Sequence, residues 1–229
     1  MSYRLTEAQF FKDIAKHDMI VIRDEGNNRH IRFKQPGTNN AHFDLITWPG
    51  HLCYTGDMGT YVFQRVPDMF AFFRTSSVEG GDADTLHINV EYWTEKLIAV
   101  DGNRDGGKVK AFVEDKFKRV INEYRVQWMR DAKATGALDK DSRRQLWEAV
   151  DDEVLYRLGD GADRAELAAY DFCYNPHPKK EYSWQFEELF EHDFTEFTTS
   201  IRWCCYALAW GIKKYDASKV TALPEGAAA

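Results

Sequence analysis

The chain has 229 residues with 29% charged and 44% hydrophobic side chains, and its net charge is -7. This balance is typical of a globular protein and excludes an intrinsically disordered one. The longest apolar stretch, 203–212, is about half the roughly 20 residues that a membrane-spanning helix needs. Because the N-terminus also lacks the apolar core of a signal peptide, we expect a cytoplasmic protein without membrane contact.

The acidic balance argues against broad binding to nucleic-acid phosphates, which needs clustered lysine and arginine. Four basic residues on neighbouring predicted strands still indicate a local basic face: Arg23, Arg29, Arg32 and Lys34. The 4 cysteines have no C-x-x-C spacing, and no phosphate-binding glycine loop, catalytic-serine elbow or zinc-protease motif is present. We therefore predict neither a cofactor nor a metal.

The N-terminal third, 1–76, predicts an α+β module. Thr6 has the position of a helix N-cap, with Gln9 three residues later as its capping-box partner. Short segments of alternating polar and apolar residues, separated by turn-forming clusters, then predict an antiparallel meander of about five strands. A short helix after Pro67 would be the second helix packed on this sheet.

The remainder of the chain predicts a mainly helical module over 77–216, after a linker at 75–84 rich in serine and glycine. Its longest helix is expected over 109–128, where apolar residues recur at helical spacing. The last helix, 195–214, is apolar nearly all round, which predicts a central place in the core of the C-terminal half. We expect the small-residue tail, 217–229, to be loose.

One group of polar residues in the predicted sheet has catalytic potential. His42 and Asp44 are expected on one face of a strand, with His30 on a neighbouring strand and His51 beyond the next turn. A carboxylate that orients an imidazole, with or without a metal, would suit a small hydrolase or a nucleotide-modifying enzyme. The solvated face of an antiparallel sheet carries the same residue types, and this simpler interpretation is the one we favour.

Acidic residues concentrate late in the chain, where Lys179 and Lys180 are the nearby basic residues. The predicted binding residues in this segment are Glu181, Trp184, Glu187, Glu188, Glu191, Asp193 and Glu196. They predict a strongly negative face with aromatic anchors, which suits binding to a protein surface. A solvated acidic face without any partner is the alternative interpretation.

Two further hypotheses concern partners. Trp48 and Tyr54 could act as stacking surfaces in a module that binds a nucleotide signal, provided that a pocket lies beside them. Paired helices and an excess of aromatic residues also make a homodimer plausible. Without a complete catalytic set, binding is favoured over enzymatic activity.

Several blocks of sequence resemble small proteins carried by tailed phages and prophages of enteric and related bacteria. These blocks are 6–13, 43–52, 56–59, 69–74 and 203–212, including the Trp-Pro-Gly and Trp-Cys-Cys-Tyr-Ala motifs. The resemblance implies a setting in the host cytoplasm, and no functional residue is carried over from it. In that setting our leading hypothesis is an accessory protein that binds and inhibits a host complex, such as a CRISPR effector, through an acidic, aromatic-rich surface.

Overall fold

The computed structural model describes residues 5–74, 85–176 and 183–221. These residues form two compact units. The sheet unit combines 5–111 with 197–221, and the helical unit comprises Phe112–Glu196. The predicted α+β class, with an antiparallel meander followed by mainly helical structure, is confirmed.

An antiparallel meander of six strands forms the sheet, and its spatial order is also its chain order. The strands are β1 (Asp18–Glu25), β2 (Asn28–Lys34), β3 (Phe43–Trp48), β4 (His51–Gly56), β5 (Gly59–Gln64) and β6 (Leu97–Val100). The sixth strand lies in a region for which helical spacing was predicted. It is a strand because its short apolar run completes the sheet, with Val100 opposite Tyr61 and Leu97 opposite Phe63.

One face of the sheet is the core of this unit. Side chains at alternate positions of β2–β5 are fully or almost fully buried: Ile31, Phe33, Phe43, Leu45, Leu52, Tyr54, Tyr61 and Phe63. Four helices pack into the same core: α1 (Glu7–Ile14), α2 (Met69–Phe73), α3 (Val90–Thr94) and α7 (Thr199–Thr221). Each buried side chain of this size stabilises the fold by about 1.5–3 kcal/mol relative to exposure.

The predicted start of α1 is confirmed. Thr6 is the N-cap, and its hydroxyl oxygen accepts a hydrogen bond of 3.2 Å from the backbone N–H of Gln9. The cap gives this helix-end donor a second acceptor besides the backbone carbonyl of Thr6, which lies 3.1 Å from it. Phe10, one residue further on, is fully buried and lies edge-on to Trp203 of α7, with ring centroids 5.0 Å apart.

The terminal helix α7 belongs to the sheet unit, whereas a place in a separate C-terminal core was predicted. Gly211 shows how closely it approaches the sheet, since a Cβ atom there would lie 3.0 Å from Leu45 and 3.1 Å from Phe33. The division of the chain therefore differs from the boundary predicted at residue 76. A helix that is apolar all round needs burial on several sides, and the open face of a six-stranded sheet with its other helices provides it.

The predicted tail and the predicted linker are only partly covered by the described residues. The helix α7 continues through 217–221, which were predicted to be a loose tail, and 222–229 lie outside the described residues. The predicted linker at 75–84 also lies outside the described residues. Within the described ranges, no helix is both long and apolar enough to cross a membrane.

The helical unit contains three α-helices and a separate hydrophobic core. They are α4 (Glu114–Thr135), α5 (Lys140–Glu153) and α6 (Ala162–Asp171), with 3-10 turns at Leu155–Asp160 and Leu189–Glu191. Strands β7 (Lys110–Phe112) and β8 (Thr195–Phe197) pair in a two-stranded sheet where the chain passes between the units. The longest predicted helix therefore begins later than expected, because its first residues form β7.

Candidate functional site

Asp44, a predicted catalytic residue, lies on β3 in a network of ionic hydrogen bonds. Nε and Nη2 of Arg32 each donate to one of its carboxylate oxygens over 2.8 Å, and Nε2 of His30 lies 2.7 Å from Oδ2. Burial raises the pKa of Asp44, but the hydrogen bonds and charges of Arg32 and His30 outweigh it and lower the pKa overall. The carboxylate is thus held ionised, which suits a structural ion pair or an imidazole-orienting group and not a general acid.

The other two predicted catalytic residues lie at opposite ends of the sheet. His42 precedes β3 and approaches Asp57, with 3.4 Å between Nδ1 and Oδ1. His51 begins β4, and its ring stacks on Trp48 with centroids 5.0 Å apart. Since a strand rises about 3.3 Å per residue, the length of β3 separates the two histidines by roughly 20 Å. The structure therefore does not bring His42, Asp44 and His51 together as one centre.

A metal site is not formed by these groups. Among the residues that the structure describes, no three His, Cys, Asp or Glu side chains are close enough to share an ion. The predicted arrangement of a carboxylate that orients an imidazole is matched by His30 and Asp44. The third group beside this pair is the cation Arg32. A guanidinium at that place repels a metal ion and neutralises the carboxylate.

The basic face predicted on β1 and β2 is largely neutralised. Arg23 pairs with Glu25 over 2.5 Å, and Arg32 pairs with Asp44. Arg29 is only 9% exposed because it lies over the ring of Phe70 and donates a hydrogen bond to the carboxylate of Asp68. Most of these guanidinium groups are already engaged, so a phosphate-binding surface is not formed here.

The stacking surfaces predicted for a nucleotide are also separated. Tyr54 is fully buried, and its ring stacks on Phe43 in the core. Its hydroxyl group has no hydrogen-bond partner among the residues that the structure describes, and burial raises the pKa of Tyr54 well above the ordinary value. Trp48 is 38% exposed and already stacked on His51. The alternation of buried and partly exposed residues along β4 explains why Tyr54 faces the core.

The predicted acidic segment forms a tight turn in the helical unit, which we call the acidic turn and define as residues 187–193. Leu189 is its internal anchor and is 1% exposed. At one end, the hydroxyl of Tyr124 on α4 donates to the backbone carbonyl of Glu187. At the other end, a carboxylate oxygen of Asp193 accepts a 2.8 Å hydrogen bond from the backbone N–H of Thr195. Both ends of the turn are therefore fixed.

The outer side of the acidic turn presents an aromatic ring among carboxylates. Phe190 is 73% exposed, and its sequence neighbours Glu187, Glu188 and Glu191 are exposed as well. Burial and then the charges of these three glutamates raise the pKa of Tyr124, whose hydroxyl group bonds to the backbone of the same turn. Glu188 also has a left-handed backbone with φ of 56°. The turn thus holds an apolar ring in a negative setting with a fixed backbone.

The remaining predicted binding residues have other roles. Glu196 pairs with Lys116 over 3.3 Å. Trp184 exchanges two backbone hydrogen bonds with Tyr174, of 3.0 and 2.9 Å, and packs beside Trp128 of the helical core. Glu181 lies outside the described residues. Trp184 is therefore a packing residue. The exposed aromatic residue of this segment is Phe190, which was not predicted, although an apolar residue inside an acidic run was visible in the sequence.

Charge is distributed unequally between the two units. The range Phe112–Glu196 contains 20 Asp and Glu residues and 13 Lys and Arg residues. Its net charge is therefore -7, the same as that of the whole chain. The rest of the chain contains 17 of each kind. The negative potential of the protein therefore originates in the range that carries the acidic turn.

Comparison with known proteins does not extend this description. The exposed ring, the fixed turn and the charge of the helical unit are what point to a function. No protein-family model matches the chain, and no curated protein or solved structure gives a significant match.

Proposed function

We propose that this protein binds a host protein through the acidic turn and inhibits it. The observation that carries the proposal is the 73% exposure of Phe190 in a turn whose neighbouring residues Glu188 and Glu191 are also exposed. Phe190 would enter an apolar recess of the partner, and Glu187, Glu188 and Glu191 would meet lysine and arginine side chains around that recess. A buried aromatic anchor with a charged rim is the usual arrangement of a protein-binding hot spot.

Two features of the turn favour binding over a merely solvated surface. A phenylalanine left in water forgoes about 1.5–3 kcal/mol of burial, which a partner would recover. The left-handed backbone at Glu188 costs on the order of 1–3 kcal/mol, and such conformations concentrate at functional sites. Because Leu189 and the hydrogen bonds at both ends already hold the turn, little conformational entropy is lost when a partner binds.

The charge of the helical unit defines the class of partner. A range with 7 more acidic than basic residues attracts a basic surface and accelerates association, and this effect weakens as salt rises. Basic protein surfaces of this kind commonly bind nucleic acid. In the phage setting that the sequence resemblance implies, we propose an anti-phage defence complex, such as a CRISPR effector, as the target.

Charge reversal tests this proposal in infected cells. The double variant Glu187→Lys with Glu188→Lys is expected to abolish the rescue of phage plating that the wild-type protein gives on a defence-carrying host. The matched control is Asp152→Lys with Glu153→Lys, which reverses two neighbouring exposed carboxylates of the same unit away from the turn. Equal rescue by the wild type and the turn variant would overturn the proposed surface. A wild-type protein that rescues plating on none of the defence-carrying hosts would overturn the inhibitor role.

A further inference from the structure

The face of the six-stranded sheet opposite its core, which we call the outer face, carries a row of apolar residues across four strands. The register places these residues directly opposite one another on β3–β6: Ile46, Cys53, Val62 and Ala99. Among the described residues, none of them belongs to either hydrophobic core or packs against it. Apolar side chains that stay in contact with water gain free energy when a partner covers them. This apolar row is therefore the part of the outer face that favours an interface.

Polar residues border the apolar row on both sides. On one side, the hydroxyl groups of Thr55 and Thr60 share a hydrogen bond of 2.8 Å. On the other side, Trp48 is 38% exposed and stacks on His51, which lies opposite Gln64 in the register. An apolar centre with a polar rim is the usual anatomy of a protein–protein interface.

The charged residues of the outer face balance one another. They lie on β1–β3, and three are acidic and three basic: Asp18, Glu25, Asp44, Arg23, Arg32 and Lys34. Arg32 pairs with Asp44. Arg23 pairs with Glu25, and the remaining two residues lie directly opposite each other in the register between β1 and β2. The outer face is therefore neutral, so it neither repels a second copy of itself nor attracts a strongly charged partner.

The exposed apolar residues of the helical unit are less suited to a second copy. Leu167 and Tyr170 are each 52% exposed on α6. They belong to a range with a net charge of -7, so two copies of that unit would repel each other. The rest of the chain has equal numbers of acidic and basic residues, 17 of each. Contact between two copies is thus favoured through the sheet unit.

The outer face is also large enough for a specific interface. Its six strands, about 4.8 Å apart and with about five residues each at 3.4 Å per residue, give a face of roughly 29 by 17 Å. Two such faces in contact would remove on the order of 1,000 Å² from water, and specific interfaces begin near this size.

We infer that the outer face binds a second copy of this chain, with the two sheets packed face to face about a twofold axis. The apolar row of one copy lies against the same row of the other, and the polar residues on both sides form the rim. A symmetric contact of this kind uses the same surface of both copies and closes at a dimer. It uses no residue of the acidic turn, so it is independent of the proposed host-binding surface.

Sedimentation equilibrium of the full chain, at about 1–300 µM, tests this inference, because interfaces near 1,000 Å² are often weak. We expect the mass of the wild type to rise with concentration toward twice the 26.6 kDa of one chain. High salt should not dissociate the dimer, because the centre of the contact is apolar and its charges are balanced. A wild type that stays monomeric over this range would overturn the inference, and so would a dimer that high salt dissociates.

A matched pair of lysine variants locates the contact. Ala99→Lys brings an ammonium group into the apolar row of each copy and should raise the dissociation constant at least about tenfold. Ala71→Lys makes the same change at an exposed position of α2, away from the outer face, and should leave the dissociation constant within about twofold of the wild type.

A second variant keeps the location of the contact testable. Val62→Lys, inside the apolar row between Cys53 and Ala99, should abolish the dimer while the circular dichroism spectrum stays unchanged. A dimer that both Ala99→Lys and Val62→Lys leave intact would exclude the outer face as the contact. Equal weakening by Ala71→Lys and Ala99→Lys would exclude it as well.

Discussion

The two units of this protein differ in how far their aromatic side chains are exposed. The sheet unit buries most of its rings, and among its described residues the most exposed aromatic side chain is Tyr92 at 42%. The helical unit leaves Tyr156 at 72% exposure, Tyr170 at 52% and Phe190 at 73%. It also contains the whole excess of negative charge. Under the proposed function, this contrast identifies the helical unit as the one that binds a partner.

The ion pairs of the two units can be compared by how far apart their partners lie in the chain. Several pairs in the sheet unit join elements far apart in the chain, as Arg74 with Asp216 and Arg29 with Asp68 do, beside local pairs such as Arg23 with Glu25. Several pairs in the helical unit are local, including Lys118 with Glu114 four residues away. Local exposed pairs of this kind contribute only about 0.3–0.5 kcal/mol each. Of the two long-range pairs, Arg29 with Asp68 ties β2 to the N-cap of α2, and Arg74 with Asp216 ties the end of α2 to α7.

The largest expected effect is on the core of the sheet unit. Trp203→Ala removes a ring that is 1% exposed and should lower the free energy of unfolding by about 3–5 kcal/mol. Urea unfolding monitored by circular dichroism measures this change. The matched control is Tyr92→Ala, which truncates an exposed ring of the same unit and should cost less than about 1 kcal/mol. A smaller loss for Trp203→Ala than for Tyr92→Ala would break the assignment of α7 to this core.

Acid should destabilise the sheet unit through three aspartates: Asp24, Asp44 and Asp68. Burial raises the pKa of each, but hydrogen bonds with nearby side chains, chiefly the cations Lys219, Arg32 and Arg29, lower the pKa overall. A folded-state pKa below the unfolded value gives stability that is present above about pH 4 and is lost as the pH falls through the folded pKa. We expect urea midpoints to fall between pH 6 and pH 2. Equal midpoints at both pH values would contradict this.

Asp44→Asn isolates one member of this group. The variant leaves Arg32 and His30 without their anionic partner and should lower the free energy of unfolding by about 1–3 kcal/mol. It should also flatten the acid dependence, because one titrating carboxylate is gone. Asp18→Asn, at an exposed position of β1, is the control and should change neither quantity. An unchanged acid dependence in Asp44→Asn would show that the Arg32 pair does not stabilise the sheet.

The smallest expected effect is an increase in the free energy of unfolding. Tyr54→Phe removes a buried hydroxyl group without a hydrogen-bond partner and should raise the free energy of unfolding by up to about 1 kcal/mol. Tyr61→Phe is the contrast, because a hydrogen bond with Ser200 helps to lower the pKa of the Tyr61 hydroxyl, although burial raises it overall. That variant should lose stability. Thermal melts of both variants decide the matter, and destabilisation by Tyr54→Phe would indicate that its hydroxyl group has a partner.

Much of the fold was predictable from local patterns. Alternating residues on β2–β5 and the cap at Thr6 depend on neighbours in sequence, and the structure agrees with them. The unit in which α7 packs was not predictable, because a helix that is apolar on all sides does not indicate the surface on which it will pack. The strand β6 was missed because four apolar residues fit either a helix or a strand.

The candidate site was only partly predictable, for a related reason. The pairing of Asp44 with Arg32 depends on the register between β2 and β3, which the sequence does not specify. The acidic segment was identified from its composition, but its anchor was not. Phe190 was not among the predicted binding residues, whose aromatic member was Trp184, and only its neighbour Leu189 is buried. Which of two adjacent apolar residues faces inward is decided by the backbone of the turn.

The most direct test of the central claim compares two exposed aromatic residues of the helical unit. Tagged wild-type protein, Phe190→Ala and Tyr156→Ala are used to capture partners from lysate of a defence-carrying host, in low and in high salt. We predict that the wild type and Tyr156→Ala retain one complex at near-stoichiometric yield, that high salt weakens this binding, and that Phe190→Ala loses it. Retention of the same complex by Phe190→Ala, or its loss in Tyr156→Ala alone, would contradict the acidic turn as the binding surface.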